Sequence, residues 1–345
     1  MNFYNRKISK IEIEVSSFCN ARCPLCPRES HGGDYSFFNQ VNLSSTFFEI
    51  YFPKQVVAEI KELILCGLVG EPAMNKYLID IIKWFRNINP DLYIEVYTNG
   101  SVQKPEWWFE LGTLLGQNGN TIFSIDGLED TNHIYRKDVK WDRVIDNAKA
   151  YIKSGAKSTW QFIPFKHNQH QVEEAEKLSK DMGFTYFKTK ISFRDLVTPS
   201  DIEPSNDPRF SPQGQKLDFG NMPAVETYLN NLDIDCYAIR DSSVYISAEG
   251  LVFPCCHTAS VMFINDDYLP KGYDWLRDAK NKLDKDNISL YKNKLDQILI
   301  SDTFLNIKGS WDKNMNTGRH PLCAALCGRC NGSKNLTDSF KNLER

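Results

Sequence analysis

Short apolar runs alternate with amphipathic stretches through the first half of the chain, the pattern of repeated β–α units around a parallel sheet. Six runs read as strands: IEIEV (11–15), ELILC (62–66), LYIEVY (92–97), TIFSI (121–125), TWQFI (159–163) and YFKTK (186–190). Between them, NKYLIDIIKWFRN, DRVIDNAKAYIKSG and QVEEAEKLSKDMG carry apolar residues at helical spacing. The last two end at a glycine, as helices commonly do. Six such units predict an α/β fold with its sheet curled into a partial (β/α)6 barrel. Ligands of parallel β/α folds gather at the carboxyl ends of the strands, so any chemistry is expected just after a strand.

The pattern breaks near residue 192. DLVTPSDIEPSNDPRFSPQGQ is rich in Pro, Ser and Asp without a sustained period, and reads as a linker or long loop. After it, VYISAEGLVFPCC predicts a β-hairpin turning at Glu249-Gly250 and running into a cysteine pair. Charged helical stretches and a final HPLCAALCGRC follow. The expected organisation is a first domain over 1–195, a linker over 196–232 and a small α+β domain over 233–345.

Composition narrows the function classes. A length of 345 residues suits one large domain plus a small one. A net charge of −3 and a pI near 6.1 give no general pull toward nucleic acid, and no basic tract interleaved with aromatics is present. The start, MNFYNRKISKIEIEV, lacks the apolar core of a signal peptide, and no apolar run reaches bilayer length. A soluble cytoplasmic protein with neither nucleic acid nor membrane as partner is expected. Ten cysteines in a chain of this size point to metal ligands rather than a disulfide scaffold. They fall unevenly: Cys19, Cys23 and Cys26, then Cys66, then six from Cys236 onward.

SSFCNARCPLCPR follows the first strand and spaces three thiols as Cys19-x3-Cys23-x2-Cys26. Three thiolates on so short a loop can wrap one face of an iron–sulfide cube, which normally takes four. One iron is then left to an external ligand. A structural zinc site is the alternative, and it would need a fourth protein ligand such as His31 or Cys66. Other pieces recur in order after later strands: Gly70-Glu71-Pro72 within CGLVGEP, Tyr97 to Gly100 (YTNG), and Ser124 to Gly127 (SIDG) leading into LEDTNHIYR.

Taken together over residues 8 to 190, this order resembles the radical S-adenosylmethionine (SAM) superfamily. One departure is Leu25, where the family often has an aromatic residue; packing and a backbone contact are the role there, and leucine can serve. The resemblance implies a [4Fe–4S] cluster on Cys19, Cys23 and Cys26, with SAM chelating the open iron. It implies reductive cleavage of SAM to a 5′-deoxyadenosyl radical, with electrons from a donor such as flavodoxin or ferredoxin. Cofactor contacts are expected from Leu25, Gly70, Glu71, Ser124, Asp126 and Arg136. Glu71 would give the SAM amino group a charge-assisted hydrogen bond. Ser124 and Asp126 would meet ribose or methionine, or merely cap the following helix. Arg136 would pair the SAM carboxylate or lie on the surface, and Asn168 is a further candidate for the adenosine end.

The later cysteines resemble the SPASM and twitch extensions of that superfamily. Thirteen residues separate Cys236 from Gly250, four more separate Gly250 from Cys255, and Cys327-x2-Cys330 follows at a distance. The longer seven-cysteine pattern is absent, so the shorter form implies one auxiliary [4Fe–4S] cluster on Cys236, Cys255, Cys327 and Cys330. Cys256 and Cys323 are left as spare thiols, with zinc again the alternative occupant. Cys66 reads as a core residue at a strand end. His257 would sit beside the auxiliary cluster, where an imidazole could act as a general base or simply be hydrogen-bonded. Two function classes remain: a radical SAM oxidoreductase or modifying enzyme acting on a peptide or a small, sugar-like molecule, and a zinc- or iron–sulfur-binding protein without radical chemistry.

Overall fold

The computed structural model describes residues 3–192, 200–210, 222–263 and 274–329. All six expected strands form, within a few residues of their expected ends: β1 (Lys10–Glu14), β2 (Glu62–Cys66), β3 (Tyr93–Thr98), β4 (Gly119–Ser124), β5 (Lys157–Phe162) and β6 (Tyr186–Thr189). Neighbours in sequence are neighbours in the sheet, and every pairing from β1 to β6 is parallel. The sheet stays open, as a partial barrel does.

Alternation along β1 shows how the sheet divides its two faces. Ile11 and Ile13 are fully buried in the main apolar core, while Glu12 and Glu14 point to the opposite side. The same core takes the apolar stripes of helices Leu78–Ile88, Pro105–Leu115, Trp141–Lys153 and Val172–Met182. A continuous apolar face on one side of the sheet leaves the polar residues for the other side and for the strand ends.

The second half departs from the expected separation in one respect. After the two-residue strand β7 (Asp233–Ile234), the hairpin β8 (Ser243–Ile246) and β9 (Val252–Phe253) forms as expected, with Gly250 at φ +71° in its turn. β8 pairs in parallel with β1, so one eight-stranded sheet runs β6-β5-β4-β3-β2-β1-β8-β9. That pairing covers the edge β1 would otherwise present. A final strand, β10 (Gly328–Arg329), pairs antiparallel with β7.

The segment read as a linker contains a helix, Met222–Asn230. Val225 and Leu229, one turn apart, bury against Leu232 and Ala324. The Pro- and Ser-rich composition ahead of it hides this short stripe from a period count. Residues 193–199 and 211–221 of that segment lie outside the described residues. Among the described residues no helix is long and apolar enough to cross a membrane.

Candidate functional site

The three-cysteine loop leaves the carboxyl end of β1 and closes in tight turns. The Cys26 amide donates to the Cys23 carbonyl at 2.9 Å, and the Glu29 amide to the Cys26 carbonyl at 2.9 Å. Leu25 is 1 % exposed and packs into the core, which fits the packing role expected of it. Asn20 ties the loop to the turn after β3: its Nδ2 donates to Ser101 Oγ at 2.8 Å, and its Oδ1 accepts from Asn99 Nδ2 at 3.0 Å. Arg28 pins the far end, donating to the Ser17 carbonyl at 2.7 Å with its guanidinium 3.9 Å from the Tyr35 ring centre.

Cys23 is buried, and Cys19 and Cys26 are partly so. Burial, then Glu71 and the other two cysteines, pushes the Cys19 thiol well above its usual range. Burial also raises Cys23, opposed by Arg136, whose Nη1 stands 3.6 Å from its sulfur. Three thiols on one short loop are suited to hold a shared cationic centre, since coordination supplies the positive charge that deprotonates them even where burial, as at Cys19 and Cys23, holds the thiol neutral. The site therefore fits a cluster bound by three cysteines.

Glu71 lies beside this loop, buried, with both carboxylate oxygens engaged. Oε1 accepts from the Ala73 amide at 3.0 Å and Thr98 Oγ1 at 2.7 Å; Oε2 accepts from the Asn99 amide at 2.7 Å. The expected contact with a SAM amino group thus shares a side chain that already clamps two loops together. Gly70 is dictated by close approach: a Cβ there would stand 1.7 Å from the Ser16 carbonyl oxygen. Glu14, fully inside, was not anticipated from sequence. Its Oε1 accepts from the Val69 and Gly70 amides at 2.8 and 2.9 Å, and its Oε2 from Tyr245 Oη at 2.9 Å. A charged residue on the inward face of a strand is the signal that could have marked it.

Asp126 is 0 % exposed and spends its carboxylate on Arg136 Nε at 2.6 Å and the Ile163 amide at 2.6 Å. It positions Arg136 next to Cys23, with Nη1 3.6 Å from that sulfur. Ser124 sits half-buried at the carboxyl end of β4, opposite Gln161. Asn168 differs from the expectation of an adenosine contact. Its Nδ2 donates to the carbonyls of Asp126 at 2.9 Å and Ile163 at 3.1 Å, and its Oδ1 accepts from the Phe165 amide at 2.6 Å. It is committed to the turn that follows β5.

The later cysteines converge elsewhere. Cys236, Cys255, Cys323 and Cys327 all line one narrow cavity with apolar walls, and His257 borders it. All four thiols are buried. Cys236 and Cys327 share a hydrogen bond that lowers the first and raises the second, while burial and then Cys236 push Cys255 up to about 11. Cys256 turns away, with its sulfur 3.8 Å from Tyr237 Oη and on the side of Cys66 and Glu12. Cys323, left aside in the sequence reading, faces the cavity; its i,i+4 spacing from Cys327 was the available signal. Cys330 and the side chain of His31 lie outside the described residues. Among the described residues no three His, Cys, Asp or Glu side chains are grouped tightly enough to hold a single metal ion, at these cysteines or in the Cys19–Cys26 loop.

The strand ends thus carry a three-cysteine loop, a buried carboxylate and an arginine fixed beside Cys23, side chains that fit a cysteine-bound cluster. No family model matches the chain. It is 24 % identical over 296 residues to a GTP 3′,8-cyclase of Campylobacter jejuni, covering 76 % of this chain and 85 % of the relative. A GTP 3′,8-cyclase of Sulfurimonas denitrificans is 24 % identical over 316 residues, covering 82 % and 92 %. The fold is similar to Streptococcus suis SuiB bound to S-adenosylmethionine, with TM-score 0.59 and 14 % identity over 94 % of this chain and 73 % of that one. It is also similar to native anSMEcpe with bound AdoMet, with TM-score 0.55 and 14 % identity over 97 % and 95 %. These relatives and the SAM-bound structures of the same fold support a radical SAM enzyme.

Proposed function

We propose that the chain abstracts hydrogen from a peptide or small-molecule substrate held over the strand ends, between the Cys19–Cys26 loop and the Cys236–Cys327 cavity. The observation that carries this is the convergence of Cys19, Cys23, Cys26, Glu71 and Arg136 at the end of the sheet. When bound, the cluster supplies the electron that splits SAM into methionine and a 5′-deoxyadenosyl radical. Cys19, Cys23 and Cys26 would hold the cluster; Glu71 and the Gly70 backbone would meet the amino group of SAM, Arg136, fixed by Asp126, its carboxylate, and Ser124 its ribose. Leu25 packs the loop from behind. The electron itself requires a donor such as flavodoxin or ferredoxin.

An auxiliary [4Fe–4S] cluster is proposed in the 233–345 region, with Cys236, Cys255 and Cys327 among its ligands; the sequence names Cys330 as the fourth. With four thiolates, no auxiliary iron is open to substrate, and the site serves as an electron conduit or a brace. His257, on the cavity rim, is the candidate base for a proton lost from the substrate. The structural likenesses include SuiB bound to precursor peptide SuiA, at TM-score 0.58 and 13 % identity, in keeping with a peptide substrate.

A second reading, cyclisation of GTP, is favoured by the 24 % identity to GTP 3′,8-cyclases across three quarters of the chain. Incubating reconstituted, reduced protein with SAM and GTP separates the two. The first reading expects 5′-deoxyadenosine without any new product from GTP. Accumulation of a cyclised nucleotide in step with 5′-deoxyadenosine would hand the assignment to the second.

A further inference from the structure

We propose that Cys323, and not Cys330, supplies the fourth thiolate of the auxiliary cluster, together with Cys236, Cys255 and Cys327. The proposal rests on the auxiliary-cluster reading above and changes its ligand set. Helix Pro321–Cys327 carries both Cys323 and Cys327. Four residues apart, they lie one turn from each other on the same face, and both line the cavity that Cys236 and Cys255 line from the other elements.

The surroundings match a soft, many-sulfur ligand set. The remaining walls include Phe3, Pro254, Ile307 and Trp311, and no carboxylate lines the cavity among the described residues. Thiolate sulfurs in an apolar, water-poor pocket favour iron–sulfur clusters over oxygen-loving cations. Amide donors are already aimed at two of the sulfurs: Ala238 and Ile239 toward Cys236, and Thr258 toward Cys255. Hydrogen bonds to the charged form stabilise a thiolate.

Gly328 pairs with Ile234 and Arg329 with Asp233, so these two residues after Cys327 run back along β7, away from Cys236. Cys323 shares the cavity with its three partners in the fold as it stands.

The experiment uses the full chain with Cys19, Cys23 and Cys26 changed to Ala, so that any iron reports on the auxiliary site alone. This parent is reconstituted anaerobically and assayed for iron, sulfide, zinc and its reduced EPR spectrum; Cys323→Ser and Cys330→Ser are then added separately, with circular dichroism checking the fold. The expected parent holds about four irons. Cys323→Ser, still folded, should lose iron or change its EPR spectrum, whereas Cys330→Ser should keep about four irons and the parent spectrum. A folded Cys323→Ser with full iron and an unchanged spectrum overturns the assignment. Loss of iron in Cys330→Ser overturns it too, whatever Cys323→Ser does. A parent that holds no iron, or only zinc, removes the auxiliary cluster itself, which is a separate failure.

Discussion

Glu71 shows how one side chain can serve structure and ligand at once. Its three hydrogen bonds come from its own turn, at the Ala73 amide, and from the end of β3, at Thr98 and Asn99, all out of water. Removing it leaves two buried amides and a hydroxyl unpaired, at about 1–3 kcal/mol each before relaxation. Glu71→Ala is therefore expected to lower unfolding stability by at least about 2 kcal/mol, and SAM affinity along with it. Urea unfolding and SAM equilibrium dialysis on the same variant check this. Weakened SAM binding at unchanged stability would mean that the clamp is energetically idle. The Asp126–Arg136 pair is a sharper case, because Asp126 is wholly buried. Asp126→Ala strands the guanidinium beside Cys23 and should cost about 3–5 kcal/mol of stability. Denaturant midpoints give the readout, and a loss under about 1 kcal/mol would show that Arg136 finds another partner. At this scale close spacing and motif order marked Cys19, Cys23, Cys26, Glu71 and Asp126, which the fold brings to the strand ends. Glu14 and the place of Cys323 on the second cavity were not legible, since their neighbours are contributed by chain far away, such as Tyr245 for Glu14.

At the scale of elements, helix Pro321–Cys327 depends on an unusual cap. The His320 side chain accepts from the Cys323 amide through Nδ1 at 3.4 Å, and burial pulls its pKa down to about 4. Unfolded histidine titrates near 6.5. Because the folded value is the lower one, the unfolded chain binds the extra proton between these pH values. The contribution to stability is thus fully present above about pH 6.5 and is lost as pH falls toward 4, amounting to roughly 3 kcal/mol. Thermal unfolding of wild type should lose stability from pH 7 to 5 more steeply than His320→Asn, which keeps a capping side chain without the titration. Parallel slopes would contradict this account of the cap. The β/α elements themselves were legible from periodicity, and their ends were found to within a few residues. Helix Met222–Asn230 was not, because its two buried apolar positions are too few to register a period.

At the scale of the whole molecule, one sheet joins both cysteine regions. The β1–β8 pairing links residues about 230 positions apart, with Lys10 opposite Ser243. No local pattern encodes such a contact; it follows from covering an open edge. Glu14 on β1 holds the Gly70 loop and Tyr245 on β8, so the Gly70–Glu71 loop and the hairpin leading to Cys255 share one node. Glu14→Ala should accordingly lower the melting temperature and weaken SAM binding, while Glu14→Gln, which keeps one carbonyl oxygen for the amides, should do less. Equal effects in the two variants would argue that the charge, rather than the acceptor geometry, matters. Two cysteine regions also predict about eight irons per chain after anaerobic reconstitution.

The central claim is that Cys19, Cys23 and Cys26 hold the cluster that cleaves SAM. Its most direct test is 5′-deoxyadenosine released by anaerobically reconstituted, reduced protein, measured for wild type and for the variant with all three cysteines changed to Ala. Wild type is expected to form 5′-deoxyadenosine, and the variant to form none while retaining about four irons. A fully iron-loaded wild type that leaves SAM intact, or a triple variant that still releases 5′-deoxyadenosine, would contradict the account.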